Sequence, residues 1–305
     1  MPKARRRKIR KMVNKRFLQT AERWKNPSLS DERSQPTRPA PQNPVPIQSA
    51  DFPNLPTESF IFSYDHPQHG QFFQELISKV NAVYPGTGAE IPTGTSGEIQ
   101  GHLIKRMGLI STIANDSNLR SAGLYPITAT QSEHLLQAGK LTNPQNNWED
   151  FGMVLYDRSS DGENPQEAQA LYDSLKSHRQ ELGLSESDLE NRLIVVNPGA
   201  EVDSGMPQGV KPIIIPGITQ VYQHEVLEKV GEEPNFDGYG LTGGLPLLNQ
   251  LGSGSRTLYM PDETEDIGLR ALYRDGGLDL GARVRDLADS GGVGRVNFAP
   301  QGRAS

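Results

Sequence analysis

The stretch Gly268–Val296, GLRALYRDGGLDLGARVRDLADSGGVGRV, decides how the rest of the chain is read. Its 29 residues hold seven Gly, five Arg and four Asp, with no Lys, Glu, Asn or Gln. An amphipathic helix tolerates so much glycine poorly, at roughly 1 kcal/mol each relative to alanine. The apolar residues, however, recur too regularly for a structureless tail. Leu278, Leu280 and Ala282 fall on alternate positions, which predicts a strand with these three on one face and Asp279, Gly281 and Arg283 on the other. Leu269, Leu272 and Leu287 continue the anchoring, and Gly294–Val296 reads as a turn into a last strand, Val-Asn-Phe. The positions between are Tyr273, Asp275, Gly276, Gly277, Asp279, Gly281, Arg283, Arg285, Asp286, Asp289, Gly291 and Gly292. Binding loops favour this mixture, because small residues permit close approach while Tyr, Arg and Asp supply contacts. On composition alone, a Gly-rich surface meander without a ligand fits equally well.

Upstream, four regions are expected: a basic arm over 1–26, a Pro-rich linker over 27–58, a mixed α/β scaffold over 59–235 and a display region over 236–305. The first 16 residues carry nine Lys/Arg and no acid, an anion-seeking arm suited to nucleic acid or an acidic surface. A solvated tail fits the same charges. Eight prolines over 27–58 fix φ and remove donors, which predicts an extended spacer. In the scaffold, SFIFSYD reads as a strand and QFFQELISKVNAVY as a helix. A second helix is expected within Gly97–Ala114. TQSEHLLQAG carries a capping box from Thr130 to Glu133, and FGMVLYD reads as a buried strand. Asn164 as cap, Pro165 at the first helical position and Glu167 at the third open a further helix with a stripe of Ala168, Leu171, Tyr172, Leu175 and Leu182. RLIVVNPG and KPIIIPGITQV read as strands, Ser185 and Asp188 as the start of a short helix, and YQHEVLEKVG as another. The fold class expected is α+β.

Composition narrows the chemistry. The chain of 305 residues has no cysteine, which excludes disulfides and thiolate metal sites. No apolar run approaches the roughly 20 residues of a membrane span, and the basic N-terminus leads into no apolar signal core, so a cytoplasmic location is expected. No phosphate loop, dinucleotide fingerprint or nucleophile elbow occurs, and no cofactor is expected. Asp65, His66 and His69 follow the first strand, where α/β enzymes keep reactive groups; Pro67 between the histidines and the lack of a third ligand favour a turn there. Asp157, Asn197 and Asp203 also follow strands and read as turn formers. Two alternatives to a binding protein stay open: a hydrolytic enzyme using Asp65, His66 and His69, and a nucleic-acid-associated structural protein using the arm.

The register Leu269, Leu272, Arg274, Leu278, Leu280, Ala282, Leu287, Ser290, Gly294, Arg295 and Val296 resembles the C-terminal variable region of target proteins of diversity-generating retroelements. The likeness covers about 30 residues and extends weakly upstream to Gly238. It implies a C-type-lectin-like fold, a rigid irregular frame that displays variable side chains to a protein or other macromolecular ligand, without catalysis. The positions it implies as variable are the intervening residues named above together with Val284 and Val293.

Overall fold

The computed structural model describes residues 55–92, 97–145, 147–239, 242–262, 267–284, 286–288 and 294–300. The basic arm and most of the Pro-rich segment lie outside the described residues, as do Arg285, Asp289, Gly291, Gly292 and Val293 of the expected display positions. The first half of the described chain contains β1 (Phe60–Ile61), α1 (Gly70–Val83), α2 (Leu103–Asn115), α3 (Ser117–Ser121), β2 (Leu124–Pro126), α4 (Ala129–Gln137), β3 (Glu149–Leu155) and α5 (Pro165–Ser177). Then come the strands β4 (Leu193–Val196), β5 (Gly199–Val202), β6 (Val210–Ile213), β7 (Gln220–Tyr222), β8 (Asn235–Phe236), β9 (Arg256–Tyr259), β10 (Leu269–Arg274), β11 (Leu280–Val284) and β12 (Asn297–Pro300). The arrangement is mixed α+β. No described helix is long and apolar enough to cross a membrane.

A seven-stranded sheet in the order β7-β4-β3-β10-β11-β9-β8 organises the chain. Its neighbours are antiparallel except for β11 and β9, which run parallel. The expected scaffold and display regions meet at its centre, where β3 pairs with β10 along its length. All seven residues of β3 are buried, because its two faces are both covered. Met153, Leu155, Leu193, Val195, Leu269 and Ala271 pack with the apolar stripes of α1, α2 and α5. Val154, Ile194, Val196, Leu272, Leu280 and Ala282 pack on the other side with Leu135 of α4 and with Val226, Leu227, Phe236 and Leu245. A smaller sheet, β1-β12-β2, pairs the first described strand with the last one.

Several local expectations change. The capping box of α4 forms from Thr128 and Gln131, not Thr130 and Glu133; Glu133 is drawn away into an ion pair with Arg256. Asn164 makes no side-chain cap: it sits at φ 52° and its amide donates to the Leu269 carbonyl at 2.8 Å. KPIIIPGITQV divides into β6 and β7 around the turn at Pro216–Thr219, and YQHEVLEKVG holds only a 3-10 turn at Glu225–Glu228. Leu278 precedes β11 instead of belonging to it. It occupies the hairpin loop at φ 72°, where Asp275 accepts from the backbone of Gly277 and Asp279 and holds the loop shut.

Candidate ligand-binding surface

The anchors and the residues between them part company in the structure. Of the eleven anchor positions, Leu269, Leu272, Arg274, Leu280, Ala282, Leu287, Gly294 and Val296 are buried, Leu278 and Arg295 half-buried, and Ser290 undescribed. Among the described intervening positions Gly277 and Asp286 are exposed, and Asp275, Gly276, Asp279, Arg283 and Val284 half-buried; Tyr273 and Gly281 are buried. Tyr273 and Gly281 therefore do not present free side-chain surface, and the reason is their mutual packing.

One row of residues crosses four strands, Asp150 on β3, Tyr273 on β10, Gly281 on β11 and Tyr259 on β9. The Tyr273 ring lies over Gly281 so closely that a Cβ there would sit 2.2 Å from Cζ. Trp148 stacks on the same ring, with centroids 4.4 Å apart and planes 11° from parallel. Its indole Nε1 donates to Asp150 Oδ1 at 2.9 Å. Burial pushes the Tyr273 hydroxyl up to about 12. Further along the row β9 alternates buried and half-buried residues, the pattern of a sheet with one wetted face. On that wetted face the Arg283 guanidinium lies over the Tyr259 ring, 4.3 Å from its centroid, and pairs with Glu233. The Tyr259 hydroxyl donates to Asp279 at 3.4 Å, and the other oxygen of Asp279 accepts from Thr257 N at 2.6 Å. The result is a shallow shelf in which Trp148 and Tyr259 are half-buried and Tyr273 is buried beneath Trp148, fringed by Asp275, Asp279, Arg283 and Glu233.

Behind this shelf lies a buried ionic cluster that sequence reasoning missed. Glu149 is fully buried; it accepts from Arg106 at 3.3 Å, Arg274 at 3.5 Å, and both the backbone and the side chain of Asn297. Arg106 also donates to Asn197 and to the Ile127 carbonyl. The Nε and Nη1 of Arg274 meet no acceptor among the described residues. Arg256 grips Glu133 through two hydrogen bonds, at 2.7 and 2.9 Å. Asp150, beside Glu149, points to the other side by strand alternation, and the bulge at Phe151 shifts both acids relative to Gly152. There it accepts from Leu103 N at the start of α2, and burial raises its carboxyl to about 7. The only signals in the sequence were charges set in otherwise apolar runs, Arg106 in α2 and Glu149 at the head of β3.

The other sequence candidates are placed separately. His66 and His69 stack 4.9 Å apart against Phe60, and burial followed by the His69 charge lowers the His66 pKa. Nδ1 of His66 accepts from the backbone of Gln68 and His69, while Asp65 accepts from Gly97 N at 2.8 Å. Asp157 and Asp203 accept from backbone amides two residues on, as turn formers do, and Asn197 joins the buried cluster. Among the described residues no three His, Cys, Asp or Glu side chains converge on a metal-sized site. A groove of about 1010 Å³ lies between α5 and β6, and Arg158 and Lys211 on its walls are paired with Glu190 and Glu201.

The chain matches no protein-family model, no curated protein and no solved structure at a significant level.

Proposed function

We propose that the protein binds a macromolecular ligand, without catalysing a reaction on it, through the surface built by the β10–β11 hairpin, the end of β11 and the segment that follows. The observation that carries this reading is the division of 268–296 by burial. Residues of the fixed register are locked in two cores and an ionic cluster, while most of the described residues between them reach solvent. Such a frame suits many modest contacts on preorganised positions, which lowers the ordering cost of binding. The retroelement relation and the C-type-lectin-like frame belong to the same proposal. Support for the frame comes from its short strands, its long irregular connections, and a first strand that pairs with the last.

The test is a display library of the full chain randomised at Arg283, Val284 and Asp286 and selected against a chosen soluble protein. The expected outcome is clones with micromolar or better affinity whose melting temperatures stay within a few degrees of the parent. A matched library on the exposed residues Gln169, Lys176 and Glu181 should yield none. Unfolding of most clones, or equal success of the two libraries, rejects the display reading. For the retroelement relation, the coding DNA must carry a near-copy of codons 268–296 beside a reverse-transcriptase gene.

A further inference from the structure

The segment after β11 also walls a second feature. A cleft of about 370 Å³ lies between Asp286–Ala288, the first turn of α5 and Pro207–Gln208. Two carboxylates line it, Glu167 and Asp286, with the amides of Asn164, Gln166 and Gln208, and no basic side chain lines it among the described residues. Glu167 is 95% buried, at 5% relative exposure, yet among the described residues no side chain pairs with it, and its own backbone N–H offers its carboxylate one contact. Burial raises its pKa, the mark of an anion that has lost water and gained little in return.

A helix start ordinarily attracts anions, through free N–H groups and the helix dipole. Here that use is blocked. Pro165 at the first position has no N–H, and the Glu167 N–H already serves its own carboxylate. An entering anion would meet two carboxylates, whereas a cation would restore to Glu167 the partner it lacks. Long-range charge has the same sign: residues 55–305 hold 33 acids against 18 Lys/Arg, which draws cationic groups toward this body. Roughly 370 Å³ accommodates one long side chain and not a folded element.

We propose that this cleft receives a single basic side chain, of lysine or arginine, from the protein ligand held on the adjoining display surface. The proposal rests on the binding function above and names one anchor for it. Asp286, at the cleft mouth, is itself a display position, so its identity tunes the pocket while Glu167, on the helix, stays constant.

The test uses the full ¹⁵N-labelled chain, titrated with N-acetyl-arginine amide, N-acetyl-norleucine amide or N-acetyl-glutamate amide at constant ionic strength. The arginine probe is expected to shift the amides of Gln166, Glu167 and Asp286 saturably, and the other two not. Glu167→Gln and Asp286→Asn should each weaken it at least tenfold, with Asp286→Asn serving should Glu167→Gln fail to fold. Equal binding of norleucine, preference for glutamate, unaltered affinity in both variants, or no saturable shift overturns the proposal. A failed titration alongside successful selection at 283, 284 and 286 rejects the cleft alone, whereas failed selection rejects the display surface.

Discussion

Gly281 and Tyr273 face each other across β10 and β11, and substituting Gly281 tests whether the shelf is built as described. A Cβ at 281 would lie 2.2 Å from Tyr273 Cζ and 2.4 Å from Cε1 and the hydroxyl oxygen, where ordinary contact requires about 3.5–4.0 Å. The ring must therefore rise by more than about 1 Å. Its movement is restricted, because Trp148 stacks on it and is tied to Asp150. Gly281→Ala should cost about 1–3 kcal/mol through overpacking, with up to about 1.5 kcal/mol more if the aromatic pair separates. Once Tyr273→Ala has removed the ring, the same change should be neutral, or stabilising by about 0.5–1 kcal/mol, since alanine loses less chain entropy than glycine. Urea unfolding of the four proteins, analysed as a double-mutant cycle, should give a coupling of at least about 1.5 kcal/mol. If Gly281→Ala shifts stability by less than about 0.5 kcal/mol in both backgrounds, the stacked shelf is refuted. A coupling of the expected size makes 273 and 281 a pair that must change together, unlike Arg283 or Asp286.

In the buried cluster, Glu149→Gln strips Arg106 and Arg274 of their shared counter-charge and should cost about 3–5 kcal/mol in urea unfolding. Arg274→Met removes the two unsatisfied nitrogens and leaves Glu149 with Arg106, so it should cost at least about 2 kcal/mol less; equal costs would contradict the hydrogen bonding described. Burial lifts the Asp150 carboxyl from an ordinary 3.8 to about 7, so between those values the folded chain retains a proton that the unfolded chain has released. The Asp150 contribution to stability should therefore fall as pH rises through that window and level off above it; unfolding midpoints that are no flatter with pH in Asp150→Asn would refute this. Leu278 bears the cost of left-handed backbone in the hairpin loop, and Leu278→Gly should recover about 1 kcal/mol, measured by the same unfolding assay; a loss instead would show that its half-buried side chain outweighs the backbone strain.

Local periodicity made much of the frame legible. The stripes of α1 and α5, the apolar run of β3 and the anchors on β10 and β11 were all readable, because each is a regular element with an apolar side to bury. What was not readable depended on distant partners. ITATQSE contains two overlapping capping boxes, Thr128 with Gln131 and Thr130 with Glu133, and local chemistry hardly separates them. Arg256, 123 residues away, decides between them by taking both oxygens of Glu133. The bulge at Phe151 likewise breaks the alternation between Gly152 and Asp150, so alternation carried back from the apolar run puts both Glu149 and Asp150 on the wrong faces.

Arg274 joins these two kinds of information. Sequence likeness placed it among the fixed positions without a reason, and a charge in a display segment reads naturally as a contact residue. In the structure it is fully buried, at the last position of β10 before the hairpin loop, held to Glu149 behind the shelf. Its neighbour Asp275 organises that loop through two backbone hydrogen bonds. A small apolar residue at 274 would remove a counter-charge from Glu149 and leave a void where the loop begins, whereas a change at 277 meets only the tips of Asp275 and Asp279. A substitution at 277 can therefore be tolerated while Arg274 and Asp275 hold the frame, and the solvent-facing part of the hairpin begins where burial ends.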